Sequence, residues 1–136
     1  MDEMAKKYFE IRKAGDIDKD VLETFDYEYQ GREIELTIDT DEFTSVCPRS
    51  GLPDFAKIII KYVPDRKCIE LKSLKYYFLS YRNVGMFYEH IVNRMLQDLV
   101  EVCRPVRMNI TGDFKTRGGL HTTVEASYER GKKRKS

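Results

Sequence analysis

The sequence predicts an α+β fold, an antiparallel sheet carrying its helices on one face. Three observations predict it. Ile34, Leu36 and Ile38 alternate with Glu33, Glu35, Thr37 and Asp39, the period of a half-buried strand. Phe87, Ile91, Met95, Leu99 and Val102 recur at three- and four-residue steps, with Asn93, Arg94, Gln97, Asp98 and Glu101 on the other side, which is an amphipathic helix. Two further alternations, Val106-Met108-Ile110 and Leu120-Thr122-Val124-Ala126, close the pattern with strands.

In chain order, residues 1–24 form a charged arm in which Met4 to Lys13 suits a short helix. After the first strand, Phe43 to Asp54 carries Pro48, Gly51 and Pro53 and reads as an irregular loop. Phe55 to Val63 is apolar and β-branched, a second strand ended by the turn Pro64-Asp65-Arg66. Cys68 to Glu70 is a short extended piece and Leu71 to Tyr81 a helix. Met86 to Cys103 is the strongest helix, stopped by Pro105. The last two strands are joined through Gly112 to Gly119. The body therefore spans 25–129 in the order strand-strand-helix-helix-strand-strand, and 130–136 is a basic tail that reads as a solvated end. An open four-stranded sheet has two edges, and such edges invite pairing with another copy of the chain.

Composition narrows the function. The 136 residues suit one domain, and 41% hydrophobic with 35% charged content describes a soluble globule. A net charge of +1 argues against stable nucleic-acid binding. No apolar run approaches the roughly 18 residues of a membrane span, and Met1 to Lys13 has no signal-peptide core. Cys47, Cys68 and Cys103 are an odd number with no CxxC pair, which fits a reducing, cytoplasmic setting. Only His90 and His121 are present, and no cysteine has the spacing of a zinc ligand, so no metal site is expected.

Four clusters could carry chemistry. In the first, Pro48 and Pro53 stiffen a loop holding Cys47 and Asp54. A nucleophilic cysteine needs a nearby cation or backbone donor, for which Arg49 is a candidate. Asp54, if buried near Phe55, would hold a proton for transfer and is a candidate proton donor. The alternative is a buried packing thiol and a turn aspartate. In the second, Lys72 and Lys75 share a helix face and suit phosphates as point charges. Glu70, just before that helix, is either a cap or a reader of a base edge. In the third, Glu89 in Phe87-Tyr88-Glu89-His90 is either a dipole partner of the long helix or an acceptor for paired N–H groups. In the fourth, Arg117 in Gly112 to Gly119 is either an exposed hairpin charge or a phosphate ligand. Cys68 and Cys103 read as packing residues.

Taken together the clusters resemble one family. Glu70-Leu71-Lys72-Ser73-Leu74-Lys75-Tyr76-Tyr77 is similar at all eight positions to the signature of the NADPH-dependent 7-cyano-7-deazaguanine reductases. Cys47-Pro48 with Gly51-x-Pro53-Asp54-Phe55 resembles that family's nucleophile loop. Glu89 matches its substrate-binding glutamate, and Gly112-Asp113-Phe114 with Arg117-Gly118-Gly119 its last hairpin. The likeness runs from about Leu22 to Tyr128. The histidine common before the binding glutamate is Tyr88 here, and His90 follows it; Ser50, Leu52 and Thr116 also depart from common members.

The resemblance implies a tunnelling fold, in which sheets of several subunits join into a barrel. It also implies a homodecamer of two pentameric rings with sites at the subunit interfaces. It implies that Cys47 attacks the nitrile carbon to form a thioimide, that Asp54 protonates the nitrile nitrogen, and that two NADPH molecules complete reduction to the aminomethyl base of queuosine biosynthesis. Glu70, Glu89, Ser73 and His90 would bind the substrate, and Lys72, Lys75 and Arg117 the cofactor. Two other readings stand beside it: an amidinotransferase acting on a nitrile base in tRNA, whose relatives lack the lysine octet, and a non-catalytic purine- or pterin-binding module. A zinc-dependent cyclohydrolase on this fold is disfavoured by the missing ligands.

Overall fold

The computed structural model describes residues 13–132. Four long strands form one antiparallel sheet: β2 (Leu36–Val46), β3 (Pro53–Val63), β5 (Arg107–Arg117) and β6 (Leu120–Glu129), adjacent in that order. A second, two-stranded sheet pairs β1 (Thr24–Asp26) with β4 (Lys67–Ile69). Helices α1 (Leu71–Leu79) and α2 (Tyr88–Cys103) lie between β4 and β5 in the chain. The strand-strand-helix-helix-strand-strand order holds for the main sheet. The short β1–β4 pair was not legible, because three residues are too few to show a period.

Both helices cover the same face of the sheet. Ala56, Ile58, Ile60 and Tyr62 of β3 and Met108, Ile110 and Phe114 of β5 are buried against Leu74, Tyr77, Ile91, Val92, Met95 and Leu99. The intervening residues Lys57, Lys61, Arg107 and Asp113 are exposed on the opposite, polar face. Helix α2 lies close over β5 at Gly112, where an added Cβ would meet Phe114 and Val92 side-chain atoms at 2.8 Å. Gly112 is thus a close-approach glycine, and the hairpin turn is only Gly118-Gly119, both at positive φ.

The irregular loop expected over 43–54 is much shorter. Strand β2 runs on to Val46 and β3 begins at Pro53. The reason is a bulge. Thr40 pairs with Ile58 but Phe43 with Ala56, so β2 carries one extra residue. That residue reverses the parity, and Phe43 and Ser45 take over the covered face from Ile38 and Thr40. The strand therefore continues while its sequence alternation breaks.

The hydrophobic body also takes in Ile17 and Leu22, which the sequence assigned to the arm. A buried polar network ties this segment to the helices. The Tyr77 hydroxyl donates to Asp98 Oδ2 at 2.7 Å and sits 2.7 Å from the Tyr81 hydroxyl. Arg94 donates to the same carboxylate at 2.7 Å and to the Ala14 carbonyl at 3.2 Å. The helix expected at Met4 to Lys13 and the end of the basic tail lie outside the described residues, apart from Lys13 and the first tail positions. Among the described residues no helix is long and apolar enough to cross a membrane.

Candidate active site

The turn between β2 and β3 presents the cysteine. Cys47 N–H donates to the Leu52 carbonyl at 2.9 Å, and Gly51, at φ +75°, donates to the Cys47 carbonyl at 2.8 Å. These bonds hold the half-buried thiol at the end of the sheet. Burial pushes the Cys47 thiol up. Hydrogen bonds from the Ser50 hydroxyl and from the Ser50 and Arg49 backbone N–H groups outweigh it, so the thiol sits below its ordinary value although the Asp54 charge opposes this. The sequence pointed to the Arg49 guanidinium; the Ser50 hydroxyl and two backbone amides are the donors instead. By contrast, burial pushes Cys103 up to about 12 and also raises Cys68, which makes both poor nucleophiles.

Asp54 stands second in β3, on the covered face, and is 4% exposed. Its Oδ1 accepts the Tyr88 hydroxyl at 3.0 Å and the Arg117 guanidinium. The Tyr88 ring is stacked on Phe114, centroids 3.9 Å apart. Burial, and then the facing carboxylate, push the Tyr88 phenol up, so that it remains a donor. The link that brings Tyr88 here is a parallel bridge: Val46 N–H donates to Val84 and Met86 N–H to Val46. It fastens the entry of α2 beside the Cys47 turn. Cys47, Asp54, Tyr88 and Arg117 thereby converge from two strand ends, a turn and a helix start. Sequence reasoning missed Tyr88 and Ser50 as contributors. Both had been visible only as departures from the family pattern.

Among the described residues no side-chain hydrogen bond or ion pair joins the other site residues to this group. Glu70 is the N-cap of α1; its carboxylate accepts from Lys72 N–H at 2.9 Å and Ser73 N–H at 2.7 Å. These bonds hold the Glu70 carboxyl below the usual range. Ser73 is buried, and its hydroxyl donates to the Glu70 carbonyl and accepts from Glu23 N–H. Lys72 and Lys75 are exposed, and neither makes an ion pair among the described residues. Glu89 is exposed in the first turn of α2. His90 is exposed, lies edge-on to Phe87, and lines a groove between α2 and the β5–β6 ends that contains neither Cys47 nor Asp54. No cluster of three metal-ligating side chains occurs among the described residues.

The family model described as "QueF-like protein" matches residues 53–133. The NADPH-dependent 7-cyano-7-deazaguanine reductase of Chlorobaculum tepidum is 53% identical, over 85% of this chain and 99% of its own. This chain belongs to that family. The reductase of the same name from Caldanaerobacter subterraneus subsp. tengcongensis is 50% identical, over 95% of this chain and 96% of its own. A crystal structure of an archaeosine synthase, QueF-Like, in the apo form has a TM-score of 0.61 over 70% of this chain and 91% of its own. At 21% identity that likeness shows the fold, and the fold is the tunnelling fold expected of the reductase family.

Proposed function

We propose that the chain reduces the nitrile of 7-cyano-7-deazaguanine to the aminomethyl group with NADPH, through a thioimide on Cys47. The observation that carries the reading is the Cys47–Asp54 turn: a thiol held below its ordinary value beside a buried carboxyl group. The Cys47 thiolate attacks the nitrile carbon, and the C–S bond forms as the nitrile nitrogen takes the proton of Asp54. Tyr88 and Arg117 hold Asp54 by Oδ1, which leaves Oδ2 to present that proton.

NADPH, when bound, supplies the hydride. The exposed ammonium groups of Lys72 and Lys75 fit its phosphates, whereas the N-terminal amides of α1 are already occupied by Glu70. Arg117, the third cofactor candidate, faces Asp54 in this chain and would have to serve both groups. Glu70, Glu89, Ser73 and His90 remain the proposed substrate set. Glu89 has its carboxylate exposed for a base edge, and Ser73 acts by holding the Glu70 cap.

Among the described residues no hydrogen bond or ion pair joins Glu70, Lys72 or Lys75 to Cys47 or Asp54, and β2 and β6 each leave one sheet edge unpaired. Both features support a homo-oligomer with each site completed by a neighbour; the number, two pentameric rings forming a decamer, is what the family resemblance implies. The three unpaired thiols support a cytoplasmic setting.

The test is spectrophotometric. With the free cyano base, the protein should consume two NADPH per base, and Cys47→Ala should bind the base without forming an adduct detectable by intact mass. Full turnover by Cys47→Ala would remove the nucleophile, and incorporation of ammonia without NADPH oxidation would favour the amidinotransferase reading.

A further inference from the structure

Asp54 is gripped on one oxygen only. Tyr88 and Arg117 both donate to Oδ1, and Oδ2 has no hydrogen-bond partner among the described residues. Directly opposite Asp54 in the β2–β3 register stands Ser45, so the two side chains share the covered face. Cβ atoms of such opposed residues lie about 5 Å apart.

Ser45 is 0% exposed, and its hydroxyl has no partner. A fully enclosed hydroxyl with nothing to bond carries a desolvation cost that an alanine would avoid, and such orphans need an explanation. The neighbouring hydroxyls are all engaged: Thr44 Oγ1 donates to the Asp54 carbonyl at 2.7 Å, and Tyr88 to Oδ1. Ser45 alone faces the acid with its hydrogen uncommitted.

We propose that Ser45 is a positioning residue of the acid, its hydroxyl kept in reserve for Oδ2. The inference rests on the reading of Asp54 as proton donor to the nitrile. When the Cys47–carbon bond forms, one nitrile π pair moves to nitrogen, nitrogen takes the Oδ2 proton, and Oδ2 becomes the anionic oxygen of a carboxyl group that is only 4% exposed. The Ser45 hydroxyl then turns about its Cα–Cβ bond and donates to it. A hydrogen bond absent before transfer and present after it stabilises the transition state more than the ground state. The unmet hydroxyl of the free protein is the cost of that difference.

The experiment follows adduct formation between the protein and 7-cyano-7-deazaguanine without NADPH, by stopped-flow absorbance and intact mass. Ser45→Ala should keep or raise the thermal midpoint, since it deletes an orphaned group. It should bind the base with unchanged affinity and form the adduct about tenfold more slowly. The solvent deuterium isotope effect on that step should rise, because proton transfer becomes the slower event; a packing role alone would leave it unmoved. Wild-type protein that forms no adduct overturns the parent reading and this inference with it. Wild-type protein that forms the adduct, with Ser45→Ala within twofold of its rate and isotope effect, overturns the Ser45 inference alone.

Discussion

At the scale of single residues, the chemistry of this chain is set by who donates to whom. Cys47 owes its lowered value to the Ser50 hydroxyl and two turn amides, working against burial and the Asp54 charge. Ser50→Ala removes the strongest of the lowering contacts. The thiol value should rise, and the midpoint of its alkylation rate against pH should move to higher pH; an unmoved midpoint would leave the amides alone responsible. Tyr88 divides its work between a ring and a hydroxyl. Tyr88→Phe keeps the stack on Phe114 but drops the donor to Asp54. Turnover should fall roughly tenfold while base affinity holds. Steady-state kinetics with base titrations separate this from a packing defect, which would move both. The Cys47 loop was legible as a candidate site because two prolines and a carboxylate around one thiol are an unusual local pattern. Its donors were not legible, because Tyr88 and Arg117 lie far from it in the chain.

At the scale of elements, the caps and the bulge decide what the side chains can do. Glu70 closes α1 by accepting from Lys72 and Ser73, and this lowers its carboxyl from the ordinary value. A carboxyl lowered on folding contributes stability above its unfolded value, and that contribution is lost as pH falls through the folded value. Glu70→Gln should therefore melt a few degrees below the wild type at neutral pH. The gap should close on acidification below the carboxylate range, as thermal melts across pH would show; a gap independent of pH would assign Glu70 no charged capping role. The bulge between Thr40 and Phe43 shows why a strand can hide from its own sequence. One inserted residue exchanges the buried and exposed parities, so Phe43 and Ser45 are core residues although Ile38 and Thr40 set the opposite count. The long helix needed no such help, since an uninterrupted 3.6-residue period over four turns is a strong signal.

At the scale of the whole molecule, the main question is how the lysine face of α1 reaches the Cys47 turn. Within one protomer no hydrogen bond or ion pair among the described residues joins them. Two open sheet edges give the means for a neighbour to complete the site. Native mass spectrometry should find one defined assembly, a decamer on the present proposal. The sharper check is complementation. Cys47→Ala and Lys72→Ala, each weakly active or inactive alone, should regain measurable NADPH oxidation when dissociated and reassembled together. Mixtures no more active than their parts would place both residues of each site on the same chain.

The sequence by itself determined the order of the main elements, the covered and exposed faces of most strands, and the family, because these depend on local periodicity and on residues adjacent in the chain. Tertiary structure alone decided that Tyr88 and Arg117 meet on one oxygen of Asp54, that Gly112 admits a helix instead of turning the chain, and that Ser45 is sealed opposite the acid without a partner. Each of those facts depends on strand register and helix approach. Such quantities are fixed by packing between distant segments, and no local pattern of residues encodes them.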